Sequence, residues 1–335
     1  MLTRSTFVSG LPLAFSAAAA VCKLTKEDDQ FLEDLAHRCF RFFWEQADAN
    51  TGLVRDRALA DTWTPDPRPW ASSAATGFGL TALSIAAEWG WLPRSQVSER
   101  VLTRLRYFAE TAIHEHGWFY HFVNSATGAR RGTTEVSDID TALLLAGVVT
   151  VQEYFHGDAE VGRLAPTIWD RIDFRHRPEK REPRTNWFEN SVEATLAHRQ
   201  FCINLKIQFP GYSETVWGIS ASDSAHGYHA WGGPPATKNI DGTVVPCAAG
   251  GSLLLAPEVC LPALMEMRRT FGDRIYKRYG FVDAFHPNNG WTDPDVIVID
   301  VGITLLSAEN LRTGNVWKWF MRKRQIQRVM AELFV

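Results

Sequence analysis

Three acidic residues stand close together in the segment GTTEVSDIDTALLL, around the start of an apolar helical run. Glu135, Asp138 and Asp140 would repel one another there, while the helix dipole favours the ionised form, so their pKa values should separate. A protonated carboxyl beside an ionised one is the pair that cleavage of a glycosidic bond requires. We therefore predict Asp140, Asp138 and Glu135 as catalytic candidates. The alternative is an N-cap with more acceptors than it needs.

Other acids stand beside aromatic rings in the loops GYSETVWGISASDSAHGY and NNGWTDPDVIVIDVG. A sugar stacks its C–H face on such rings, and carboxylates accept hydrogen bonds from its hydroxyls. The alternative is a core tryptophan flanked by surface acids. The predicted substrate-binding residues are polar or aromatic members of the long loops, namely Asp56, Arg57, Glu214, Trp217, Asp223, Trp291 and Asp300.

Metal-binding patterns are weak in this sequence. The Cys residues show no C-x-x-C spacing, and His114 and His116 are two positions apart, which separates them on a helix. Asp293 and Asp295 form a D-x-D like part of a calcium loop, without the Gly and Glu that complete an EF-hand. We predict no metal and no other cofactor.

Composition excludes one class of partner. The 35 Lys and Arg residues are balanced by 38 Asp and Glu residues, a net charge of -3, so the sequence lacks the positive surface that nucleic acid requires. The 13 Trp and 20 Phe residues exceed what a helical core needs, which indicates that some rings face a ligand. With the acids of the loops, the expected partner is an oligo- or polysaccharide substrate.

The first residues, MLTRSTFVSGLPLAFSAAAAVCKL, predict a signal peptide over 1–22, followed by one domain over 23–335. Cys22 leaves a lipid anchor open as an alternative, and no other membrane association is predicted. The expected location is periplasmic or secreted.

Apolar residues at spacings of three and four predict a mainly α-helical fold. The predicted helices cover 28–47, 71–90, 95–114, 138–156, 159–173, 187–205, 248–272 and 301–322, with a short one near 212–221. We expect Asp28 or Asp29, Ser72 or Ser73, and Ser137 to cap three of them, and Pro257 to divide the seventh. Short and long connections alternate, which suits hairpins in a ring with the long loops on one rim.

Several segments resemble the bacterial glycoamylase-like domain. They include FLEDLAHRCFRFFWEQADANTGLVRDR, SDIDTALLLAG, WFENSVEATLAHR, ETVWGISASD and IDVGITLLSAENLRTGNVWK, in the same order. The group includes endo-β-1,2-glucanases of glycoside hydrolase family 144 and a domain of cyclic β-1,2-glucan synthases. The resemblance implies an (α/α)6 toroid and activity on β-1,2-glucan.

One departure from the family concerns the chain near residue 173. IWDRIDFR joins two flanks that family members separate by a stretch carrying a catalytic-cleft Glu. The resemblance therefore implies an incomplete ring. Two alternatives to a glycoside hydrolase follow: a relative that binds sugar without cleaving it, or a truncated inactive homologue. A polysaccharide lyase using Tyr212 and His226 is a third.

Overall fold

The computed structural model describes residues 23–176, 189–229 and 240–333. The predicted signal peptide and Cys22 lie outside the described residues, so export and lipidation stay predictions. No helix within these three ranges is both long and apolar enough to cross a bilayer.

The described chain is mainly helical, as predicted. In chain order its α-helices are α1 Lys26–Glu45, α2 Ser73–Glu88, α3 Arg94–Arg106, α4 Asp138–Tyr154, α5 Ala159–Asp170, α6 Glu189–Asn204, α7 Cys247–Gly250, α8 Pro257–Phe271, α9 Val298–Arg312, α10 Asn315–Phe320 and α11 Arg324–Leu333. A π-helical turn, Tyr107–Thr111, continues α3.

Two helix predictions were wrong. The region predicted as one helix over 301–322 is two helices, because Gly314 adopts a left-handed backbone (φ 68°) between them. The segment near 212–221 is not helical. The division at Pro257 is confirmed, since this residue starts α8, where a missing N–H costs nothing.

The helix caps follow the expected chemistry with one exception. Ser72 and Ser137 cap α2 and α4 as predicted, each accepting a backbone N–H with its side-chain oxygen. Helix α1 is capped by Thr25 rather than by Asp28 or Asp29. Asp28 Oδ2 instead accepts a 2.8 Å hydrogen bond from the backbone N–H of Thr25, which completes a capping box.

Helices α2, α4 and α9 form the inside of the fold. Helix α2 is buried around its whole circumference from Ser73 to Ala86, and it packs against α1, α3, α4 and α9. Glycines allow this packing: a Cβ at Gly147 would lie 2.2 Å from the carbonyl oxygen of Gly77, and one at Gly302 would lie 2.6 Å from the Phe78 ring. Helices α2 and α4 therefore touch backbone to backbone at Gly77 and Gly147, and the Phe78 ring of α2 packs directly on the α9 backbone at Gly302.

Short antiparallel strand pairs, which the sequence did not predict, connect the long loops. Strand β1 (Arg57–Leu59) pairs with β8 (Asp295–Ile297), and β2 (Trp70–Ser72) pairs with β5 (Phe122–Asn124). The remaining strands form local hairpins, β3 (His114–Glu115) with β4 (Trp118–Phe119) and β6 (Tyr276–Lys277) with β7 (Gly280–Phe281). The first two pairs hold loops from distant parts of the chain together.

Candidate active site

The long loops meet, as the sequence predicted, and they bring charged residues together. In the register of β1 and β8, Arg57 lies opposite Ile297 and Leu59 opposite Asp295. Arg57 Nη1 donates to Asp223 Oδ2 at 2.7 Å and to Asp295 Oδ2 at 3.4 Å. Three loops thus share one guanidinium group.

Asp140 lies in the first turn of α4 and is 4% exposed. The Ser137 hydroxyl donates to Asp140 Oδ2 at 2.5 Å, and His121 Nε2 lies 3.8 Å from Asp140 Oδ1. Burial raises the pKa of Asp140 above its usual range, although the Ser137 hydrogen bond and the charge of His121 oppose the rise. A buried carboxyl that is held by a hydrogen bond and has a shifted pKa is a candidate for acid–base chemistry.

Asp56 is a second carboxyl with a raised pKa in the same region. Burial is the main cause, and the negative charge of Asp140 adds to it, while Arg57 and His121 oppose it. Arg57 Nε lies 3.8 Å from Asp56 Oδ2. Because Asp56 and Asp140 repel each other, ionising one makes it harder to ionise the other.

Glu135 and Asp138 take different positions from Asp140. The Glu135 side chain is 65% exposed, and its Oε1 lies 2.9 Å from His121 Nδ1. A hydrogen bond from its own backbone N–H and another from His121 lower the pKa of Glu135. Glu135 therefore orients His121 from the solvent side and does not lie among the buried acids, whereas Asp138 is buried, at 8% exposure.

Asp300 lies in the first turn of α9 and contacts a buried acid that the sequence analysis did not assign, Asp283. Burial, together with the charge of Asp300, raises the pKa of Asp283, and burial raises the pKa of Asp300 as well. The repulsion between Asp300 and Asp56 connects this pair electrostatically to the Asp56–Asp140 group.

Trp217, which the sequence predicted as a substrate-binding residue, lies in the core. Trp217 is 0% exposed and its ring packs edge-on against His198, at 5.8 Å between centroids, so it belongs to the core and has no free face for a sugar. Tyr212 is also fully buried, and its hydroxyl donates to the carbonyl oxygen of Thr243 at 2.9 Å. Burial raises the pKa of Tyr212 far above the range of a catalytic base, which removes it from the lyase alternative.

Two other predicted residues lie apart from the carboxylate group. The Glu214 side chain is exposed, and its carbonyl oxygen accepts a hydrogen bond from Arg199. Trp291 is half-buried in the turn before β8, where its backbone N–H donates to Asn289 Oδ1. Neither residue has a described contact with Asp56 or Asp140.

Sequence reasoning missed the residues that surround Asp56 and Asp140. The ring of His121 stacks on Phe122 at 3.8 Å, and the guanidinium of Arg131 lies 4.9 Å from the ring centre of Trp70. The Trp70 carbonyl oxygen accepts the Asp56 backbone N–H at 2.9 Å. Alternating charged and aromatic residues in DPRPW and FYHFVN were the available signal, but the pairing of β2 with β5 is what unites them.

A separate group contains His116, Asp173 and His176, whose donor atoms lie within 4.8 Å of one another. The two imidazole rings stack in parallel at 3.9 Å. Nitrogen lone pairs lie in the ring plane, so stacked rings direct them side by side and not toward a shared ion. Asp173 already pairs with Arg175 at 2.8 Å.

Comparison with known proteins agrees with the sequence resemblance. Residues 164–324 match the family model named Glycoamylase, described as "Putative glucoamylase". The match covers 161 of the 335 residues of the chain. The matched region contains Asp223, Asp283 and Asp300, while Asp56 and Asp140 precede it.

Solved structures with this glycoamylase-type fold confirm the helical toroid. The endo-β-1,2-glucanase from Chitinophaga pinensis aligns with a TM-score of 0.80 and 22% identity, over 93% of this chain and 99% of the other. The β-1,2-glucanase from Parabacteroides distasonis aligns with a TM-score of 0.77 and 20% identity, over 93% of this chain and 60% of the other.

One curated relative is the exo β-1,2-glucooligosaccharide sophorohydrolase (non-reducing end) of Parabacteroides distasonis. It is 21% identical over 426 residues, which cover 91% of this chain and 58% of the relative. The chain therefore spans little more than half of that protein. The matching region is longer than the 335 residues of this chain, so the relative contains segments that have no counterpart here.

Proposed function

We propose that the protein is an exported glycoside hydrolase that cleaves β-1,2-glucan with a pair of carboxyl groups. The observation that carries the proposal is that Asp140, buried at the start of α4, lies near Asp56, half-buried in the loop before β1, and that the pKa values of both acids are raised. The relatives named above, which act on β-1,2-glucan, support the choice of substrate.

The surroundings of the two acids suggest their roles. Asp140 lies at a helix N-terminus and accepts a hydrogen bond from Ser137, and both features stabilise an ionised carboxylate. We assign it as the base or nucleophile. Burial, with the negative charge of Asp140 adding to it, raises the pKa of Asp56 and favours its protonated form, which donates a proton to the leaving oxygen.

His121 holds the geometry of this pair. Its Nδ1 lies 2.9 Å from Glu135 and its Nε2 lies 3.8 Å from Asp140. An imidazole held from one side by a carboxylate keeps its orientation toward the other acid. We infer that Glu135 and His121 position Asp140, and that Arg57 and the Trp70 ring contact the sugar.

A second candidate function is sugar binding without cleavage. The length of the region matched in the curated relative favours it, because segments absent here could carry a carboxylate that the relative uses. In that case Asp56 and Asp140 would bind hydroxyl groups and turnover would be absent.

The deciding experiment measures release of reducing ends from linear β-1,2-glucan and from starch. We expect oligosaccharides from β-1,2-glucan, and a loss of about 10²–10⁴-fold in kcat in Asp140→Asn. Asp273→Asn, at an exposed position, is the control and should retain activity. Products from starch alone would remove the substrate assignment, and calorimetric binding of β-1,2-glucan without turnover would select the binding function.

A further inference from the structure

Three acids beside Arg57 have carboxylate oxygens that lie close to one another. One oxygen each from Asp223, Asp293 and Asp295 lies within 4.8 Å of the others. Asp293 and Asp295 are 3% and 5% exposed. Such a buried concentration of negative charge requires a positive partner or a set of donors.

A fourth acid, Asp283, extends the group from a different part of the chain. It is 1% exposed, and its Oδ2 accepts the Asp223 backbone N–H at 2.8 Å. No nitrogen or hydroxyl donor among the described residues reaches its Oδ1 or Asp293 Oδ2, and the Asp283 side chain instead contacts the carboxyls of Asp293 and Asp300. Asp293 Oδ1 accepts the Asp295 backbone N–H at 2.9 Å, so the oxygens without such a donor are the second oxygens of two almost fully buried carboxylates.

The arginines nearby do not account for these oxygens. Arg57 pairs with Asp223 and Asp295, and Arg68 Nη1 and Nη2 donate to the two oxygens of Asp295 at 2.5 and 2.8 Å. Within the described ranges, no ion pair reaches Asp283 or Asp293. A buried carboxylate oxygen without a donor costs free energy, which either protons shared among Asp283, Asp293 and Asp300 or a bound cation would offset.

We propose that Asp223, Asp293 and Asp295 bind a divalent cation, with Asp283 in contact with Asp293, and that the cation is calcium. All the donors are oxygens, which selects a hard cation over zinc or copper. Calcium accepts carboxylate oxygens in a flexible geometry at about 2.3–2.6 Å, and the three carboxylates supply oxygens within 4.8 Å of one another.

The surroundings of the site provide access for the ion and indicate which segments it would hold together. Asp293 borders an open hollow of about 630 Å³ that Leu59 and Pro294 also line. Calcium would cross-link the Asp223 loop, the segment just before β8 and the start of β8, next to the guanidinium of Arg57. It would therefore fix Arg57, independently of whether the protein hydrolyses glucan.

Calcium binding is measured directly on chelator-treated full-length protein by titration calorimetry with calcium chloride. We expect one ion per chain and a rise in Tm of several degrees at saturation. Asp293→Asn should show neither calcium binding nor the rise in Tm. Asp273→Asn and Asp173→Asn, the latter in the His116–Asp173–His176 group, should keep both.

Three results would overturn the proposal: no heat and no Tm shift at 10 mM calcium, binding that survives in Asp293→Asn, or binding lost in Asp173→Asn. If Asp293→Asn does not fold, Asp223→Asn replaces it, since this side chain is partly exposed. The measurement needs no sugar, so a failed calcium site and a failed hydrolase are separate outcomes.

Discussion

Arg68 binds Asp295 through both terminal nitrogens, at 2.5 and 2.8 Å, although 227 positions separate the two residues in the chain. Asp295 is 5% exposed, and the same guanidinium also binds Asp66. A planar guanidinium satisfies two carboxylates in fixed orientation, which lysine cannot do. This contact joins the loop before β2 to strand β8, at the same carboxylate that Arg57 contacts.

Arg68→Ala should therefore destabilise the protein by about 1–3 kcal/mol. Removing one partner of a fully buried pair costs about 3–5 kcal/mol. The expected loss is smaller here because the Arg68 side chain is 39% exposed and Arg57 remains near Asp295. Denaturant unfolding measures the change. Arg175→Ala, an exposed pair with Asp173, should leave the midpoint unchanged, and an equal loss in both variants would contradict the argument.

Asp56→Asn should raise Tm at pH 7 while abolishing hydrolysis. The folded pKa of Asp56 is raised by burial, so the folded state resists ionisation of this group. The resulting loss of stability is absent below the ordinary Asp pKa of about 3.9, grows as pH rises from there to the folded pKa, and is constant above it. The gain in Tm should therefore disappear near pH 3–4. A Tm below wild type at both pH values would contradict this.

Ser137→Ala should move the acid limb of the pH–rate profile to higher pH. The Ser137 hydroxyl stabilises ionised Asp140, so its loss raises the pKa of Asp140 further, and more of the base is protonated at a given pH. Ser137 also caps α4, and losing a cap costs about 1 kcal/mol. Ser72→Ala, which removes the cap of α2, is the matched control and should lose stability without shifting the profile.

Trp217→Ala should cost about 3–5 kcal/mol of stability, as deletion of a buried aromatic side chain does. Trp217→Phe should fold with an unchanged KM, because the ring does not face substrate. Trp70→Ala should instead raise KM with a smaller effect on Tm. A raised KM in Trp217→Phe would restore Trp217 to the substrate site.

Gly147→Ala should destabilise the fold by about 1–3 kcal/mol, since its new methyl group would lie 2.2 Å from the Gly77 carbonyl oxygen and push α2 and α4 apart. Gly162→Ala in α5 is the control, because open space surrounds that position. It should stabilise by about 0.5–1 kcal/mol through helix propensity. Measured by thermal unfolding, Tm should fall in Gly147→Ala and rise in Gly162→Ala relative to the wild type.

Much of the helical architecture could be predicted from local pattern. The apolar spacing located α1 to α6, and Ser72, Ser137 and Pro257 marked boundaries correctly because caps and proline act within a few residues. Gly314 was overlooked as a break because the apolar pattern continues across it. The strands could not be predicted, since two- and three-residue segments have no period and form only when distant loops meet.

Sequence alone determined the helices, their caps, the acidic loops and the resemblance to glycoamylase-type domains, because these depend on residues close together in the chain. Tertiary structure decided which acids share a site. It placed Asp56 near Asp140, moved Trp217 into the core and brought Asp283 to Asp293 and Asp300. Burial and charge–charge repulsion depend on distance in space, and spacing along the chain does not encode that distance.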